Sequence, residues 1–107
     1  MSLNFSELAE RIGLDESDYR ELVELFVETG MADYSQLKTA LDDGDNQQVA
    51  RSAHTISGAS GNLGLMQVHE VAKRVERAAS EGHLDNLPAD VATLKALLDD
   101  IAQFMVA

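Results

Sequence analysis

Between Gly44 and Gly64 the chain reads GDNQQVARSAHTISGASGNLG, and this stretch decides the fold. Val49, Ala53, Ile56, Ser60 and Leu63 recur at spacings of four and three, which puts them on one face of an α-helix. Asp45 followed by Gln48 signals the helix start, and Gly64 its end. Two further glycines, Gly58 and Gly61, fall inside the helical run. Strand-like alternation is absent here and everywhere else in the chain.

Working outward, Gly44 also closes the segment before it. Tyr19, Leu22, Val23, Phe26, Tyr34, Leu37 and Leu41 keep one helical phase, which predicts a long helix over about 16–43, opened by Asp15. The alternative is a break at Gly30, since glycine in a helix interior costs about 1 kcal/mol relative to alanine. Upstream, Asn4 with Glu7 resembles a capping box and Gly13 a stop, so a short helix comes first. Downstream, Val68, Val71, Ala72, Val75 and Ala79 share a face of a helix from about Met66 to Glu81, ended by Gly82. Pro88 then marks the first turn of a last helix striped by Val91, Leu94, Leu98, Ile101 and Met105. Short connections imply antiparallel neighbours. The expected fold is all-α: an antiparallel up-and-down four-helix bundle with a short extra N-terminal helix.

The 107 residues make one domain, spanning 1–107, and 45% hydrophobic residues suffice for a modest core. With no Cys, disulfides, thiolate zinc sites and thiol catalysis are excluded. With no Trp and 5% aromatics, base-stacking surfaces are not expected. A net charge of −11 repels nucleic acid and anionic lipid and favours partners with basic faces. No apolar run reaches the roughly 20 residues of a membrane span, and the N-terminus lacks the layout of a secretory signal. The expected location is the cytoplasm.

His54 does not serve the fold. At about 100° per residue it lies about 140° from the centre of its helix's core stripe. The wheel sets Ala50, Ser57, Gly58 and Gly61 beside it on the outer face. Alanine would stabilise an exposed helix better than either glycine. Bare backbone beside an imidazole instead lets another protein's surface approach it closely. The plain structural reading is a tolerated glycine pair and an incidental surface histidine.

Charge adds to this. Residues 1–50 carry net −9 and residues 78–107 net −4, whereas residues 51–77 carry net +2 through Arg51, Lys73, Arg74 and Arg77 against Glu70 and Glu76. A positive zone around a histidine suits a phosphoryl group. The alternative is that these cations pair with acids elsewhere, as surface cations commonly do.

The run Ala53-His54-Thr55-Ile56-Ser57-Gly58-Ala59-Ser60-Gly61-Asn62-Leu63-Gly64 resembles the signature of histidine-containing phosphotransfer (HPt) domains. Val71 to Gly82 resembles that family's following helix, and the likeness extends over nearly the whole chain. The resemblance implies a phosphocarrier in a multistep phosphorelay, with no ATP site and no kinase activity. His54 would take a phosphoryl group from a receiver-domain aspartate and pass it to another receiver. Gly58 would give the receiver room to dock. Glu76 stands where the family often has Glu or Gln facing the histidine. A carboxylate there would fix the tautomer, with Nδ1 toward Glu76 and Nε2 as the nucleophile. One departure is Ser57, where the family usually has a Lys thought to hold phosphoryl oxygens. Arg51, one turn before His54, and Lys73 or Arg77 on the neighbouring helix are the candidate substitutes.

No cofactor or metal is implied on this chain, since Mg²⁺ and its acidic pocket belong to the receiver. His69 lies off its helix's apolar stripe and His83 in a loop, too scattered for a metal site. Ser52, Ser57 and Ser60 lack the strained turn of a hydrolase nucleophile. A kinase dimerisation domain is disfavoured by Thr55 after the histidine and by the Pro-free helix. A chemotaxis-kinase phosphotransfer domain fits Val71–Gly82 less well. From a different class, a binding-only module would dock a receiver over Gly58 and Gly61 without accepting phosphate. The expected partners are receiver domains of response regulators or hybrid kinases, bound by a monomer.

Overall fold

The computed structural model describes residues 4–83 and 85–106. Five helices follow in order: α1 (Phe5–Arg11), α2 (Glu16–Asp43), α3 (Asn46–Asn62), α4 (Met66–Glu81) and α5 (Leu87–Val106). The described residues form no strand. Helices α2 to α5 each pack on two neighbours and close a ring in chain order, while α1 lies on α2. This is the all-α four-helix bundle with a short extra N-terminal helix.

Local signals explain most of the boundaries. The Asn4 side chain accepts from the Glu7 N–H at 3.1 Å, and Asp45 from the Gln48 N–H at 3.2 Å. Asp15 occupies the position before α2, but its side chain makes no capping bond. Gly44 and Gly82 end α2 and α4 in the left-handed conformation, with φ of 74° and 75°, where glycine alone pays no steric penalty.

Helix α2 is continuous through Gly30, so there is no break. Gly30 is buried against Leu98 of α5 and Phe26 of its own helix. At 1.5 Å per residue, 28 residues span about 42 Å, which matches the 41 Å long axis of the molecule. Helix α2 therefore outruns α3, and α1 covers its free end. Phe5 packs edge-on against Tyr19 and tilted against Phe104, with ring centroids 5.5 and 4.9 Å away. The buried Tyr19 hydroxyl donates to the Leu63 carbonyl at 2.5 Å, which ties α2 to the end of α3. Burial raises the Tyr19 pKa and keeps that donor protonated.

The core takes Val49, Ala53, Ile56, Val68, Val71, Ala72, Val75, Val91, Leu94, Leu98 and Ile101 from α3 to α5. Three members of the expected stripes, Tyr34, Leu41 and Met105, are only half-buried. Leu22 departs further, at 41% exposed. It points to the flank of α2 beside the outer edge of α3, where Ala59 and Asn62 are too short to cover it.

Candidate functional site

His54 stands in the middle of α3 with its side chain 74% exposed. Its Nδ1 lies 2.9 Å from Oε2 of Glu76 on α4. A carboxylate oxygen only accepts, so Nδ1 carries the proton and donates, which leaves the lone pair on Nε2. Neighbouring helices make this geometry: Ala53 and Ile56 bury one face of α3, Ala72 and Val75 bury the facing side of α4, and the two polar side chains meet at the rim of that seam.

An open groove of about 470 Å³ runs along the seam beside the histidine. Ala50, Arg51 and His54 line it from α3, and Glu76, Ala79 and Ser80 from α4. A smaller recess beyond it is lined by Lys73, Glu76, Arg77 and Ser80. Arg51, Lys73 and Arg77 are exposed and have no carboxylate within ion-pair distance among the described residues. Arg74 differs: it pairs with Asp90 of α5 at 3.3 Å, so it belongs to the bundle wall. The positive zone thus reduces to three free cations spread around Glu76 and His54.

The outer-face set is corrected in two places. Gly58 is exposed, with open space where a Cβ would stand. Ser57 is not on that face: it is 2% exposed, and its hydroxyl lies 3.2 Å from Nδ1 of His69. It is turned inward and cannot reach a group on His54. Gly61 is half-buried, and a Cβ there would come 2.9 Å from His69 Nδ1. Its missing side chain makes room for an internal ring, not for a visitor. The helical wheel misplaced both because it assigns the seam with α4 to the outside wherever the residues are small or polar. His69, set aside in the sequence, is half-buried in that seam.

An exposed apolar strip also escaped the sequence reading. Ile12, Leu22 and Leu25 are 38%, 41% and 55% exposed, and they border Ala59 and Asn62 of α3 on the side away from α4. The available signal was phase: Leu25 falls off the arc of Tyr19, Val23 and Phe26. Among the described residues no three His, Asp or Glu side chains converge as a metal site requires, and no helix is long and apolar enough to cross a membrane.

The comparisons agree with this fold. No curated protein matches the sequence. The fold is similar to the crystal structure of histidine-containing phosphotransfer protein B (HptB) from Pseudomonas aeruginosa PAO1. The TM-score is 0.81 at 26% identity, over 92% of this chain and 85% of that one. The Hpt domain family model matches residues 21–104, which takes in all of α3 and α4 and with them the histidine, the carboxylate and the groove. A bundle of this topology with its seam histidine inside the matched region leaves one assignment: the chain belongs to the Hpt domain family.

Proposed function

We propose that this protein carries a phosphoryl group on Nε2 of His54, taking it from the aspartyl phosphate of one receiver domain and handing it to the aspartate of another. The observation that carries the reading is the ring itself, exposed and held at Nδ1 by Glu76, which leaves the Nε2 lone pair uncommitted. Attack of the Nε2 lone pair on phosphorus forms the N–P bond as the P–O bond to the donor aspartate breaks, and the aspartate leaves as carboxylate. The ring keeps its Nδ1 proton and becomes cationic. The Glu76 carboxylate offsets that charge, and the bond it accepts strengthens as the charge develops. Return of the electron pair to nitrogen reverses the step toward the next receiver. Nothing in this scheme calls on ATP, so the chain acts as a carrier with no kinase activity of its own.

Arg51, which lines the same groove as His54, is a candidate to hold phosphoryl oxygens, as are Lys73 and Arg77, which share a recess with Glu76. Gly58 keeps the approach to His54 free of side chains, and Ala50 leaves the groove shallow. The strip of Ile12, Leu22 and Leu25, which borders Ala59 and Asn62 of the same α3, offers a receiver an apolar foothold. We place the protein in the cytoplasm as a monomer that binds neither nucleic acid nor membrane, in keeping with its charge of −11.

One observation favours a second reading. The position the family usually fills with Lys is a buried serine here, so a binding-only module that docks receivers without accepting phosphate is the competitor. Incubation with phosphoramidate, and separately with a radiolabelled phosphorylated receiver domain, decides between them. The phosphocarrier acquires an acid-labile, base-stable label that His54→Gln abolishes. Stable receiver complexes with no label from either donor establish the binding module instead.

A further inference from the structure

Among the described residues, side-chain hydrogen bonds join α3 to α4 at two points only. One is His54 to Glu76; the other is His69 to Ser57. Nδ1 of His69 lies 2.8 Å from the Ser57 carbonyl and 3.2 Å from its hydroxyl. The carbonyl has no proton, so Nδ1 of His69 is the donor. The Ser60 hydroxyl already donates to the same carbonyl at 3.1 Å, so the His69 bond is not needed to satisfy it. The ring occupies space that exists because residue 61 has no Cβ. A helix-weakening glycine and a half-buried imidazole thus combine in one feature of the α3–α4 seam.

The buried apolar side chains of the two packed helices are Val49, Ala53 and Ile56 on α3 and Val68, Val71, Ala72, Val75 and Ala79 on α4. Apolar contact is non-directional, so it draws α3 and α4 together without singling out one axial register as a directed hydrogen bond does. A slip of two residues' rise, about 3 Å, stretches a bond running across the seam from 2.9 Å to about 4.2 Å, out of range. We infer that His69 is a positioning residue: by bonding the Ser57 carbonyl in the space left by Gly61, it sets the α3–α4 register that holds Glu76 on Nδ1 of His54. Its importance for transfer rests on the reading of His54 as the phosphoryl acceptor, while its effect on the ring does not.

The test uses His69→Ala, His69→Asn and Gly61→Ala, with ¹⁵N NMR of the His54 ring nitrogens and the rate of labelling by phosphoramidate. In the parent protein neutral His54 is the Nδ1–H tautomer. His69→Ala shifts it toward Nε2–H and slows labelling by about threefold to tenfold, the span of a single hydrogen bond. His69→Asn restores both, because its amide N–H replaces the Nδ1 donor. Gly61→Ala displaces the ring and reproduces the His69→Ala shift, but adds nothing when residue 69 is already alanine. An unchanged His54 tautomer in both His69→Ala and Gly61→Ala overturns the inference. If the parent protein takes no label, the phosphocarrier reading fails while the tautomer measurement still decides the role of His69.

Discussion

Gly58 and Gly61 stand three residues apart on α3, both inside a helix that alanine would favour, and they face different worlds. Around Gly58 there is only solvent, and the bare backbone borders the exposed His54. Around Gly61 the vacated space is filled from within, by the ring of His69. The first glycine leaves a surface open to another molecule. The second lets two helices of the same molecule interlock. Identical residues on one helix therefore carry different meanings, and the neighbour across the seam, not the local sequence, tells them apart.

The contrast can be broken or sharpened by substitution. The largest effect lies on the opposite face of the same helix. Ile56 is fully buried, so Ile56→Ala should lower stability by about 2–5 kcal/mol in chemical denaturation. His54→Gln, on the open face, should leave the denaturation midpoint nearly unchanged. Next comes the polar contact on the seam. Glu76→Ala should slow phosphoramidate labelling of His54 by tenfold or more, corresponding to about 1.5–3 kcal/mol for a charged hydrogen bond. Equal rates in the two proteins would show that Nδ1 needs no partner.

The glycines themselves come third. Gly58→Ala should raise stability by about 1 kcal/mol, since its Cβ meets nothing. Gly61→Ala should gain little, because the same helical benefit is offset by the lost His69 bond, about 0.5–1.5 kcal/mol. In a His69→Ala background Gly61→Ala should regain the full benefit. Matching gains for both glycines in the parent protein would erase the distinction drawn above.

The smallest effect is on α2. Burial raises the Asp33 pKa, so the folded state favours its neutral form. Stability from that group is present at acid pH and lost as pH rises through the raised folded value. Asp33→Asn should therefore gain a few tenths of a kcal/mol at neutral pH, discounted because Asp33 is only half-buried. The two proteins should converge at acid pH, where neither side chain is charged.

Much of this molecule was legible in one dimension. Glycine and the Asn4 and Asp45 caps set the boundaries of α1, α2, α3 and α4 within a residue or two, because a helix end must satisfy its own backbone locally. His54 was legible from helical phase, which put it outward, whereas Glu76 was pointed to only by the resemblance to the HPt family, and the structure brings the two within 2.9 Å. Leu22 and Ser57 were misplaced for one shared reason. Residues near the border of a helix's buried arc are assigned by the size and position of the neighbouring helix, which no wheel contains. Leu22 lost its cover because Ala59 and Asn62 are short, and Ser57 gained cover because His69 is long.

By itself, then, the sequence determined five helices, their order, the core stripes and a histidine outside them, since periodicity and capping are properties of each segment alone. Only the tertiary structure decided which glycine stays open, which cations remain unpaired and which imidazole is locked inside. Those outcomes depend on side chains from two helices meeting within a few ångströms, and that distance is set by packing rather than by position along the chain.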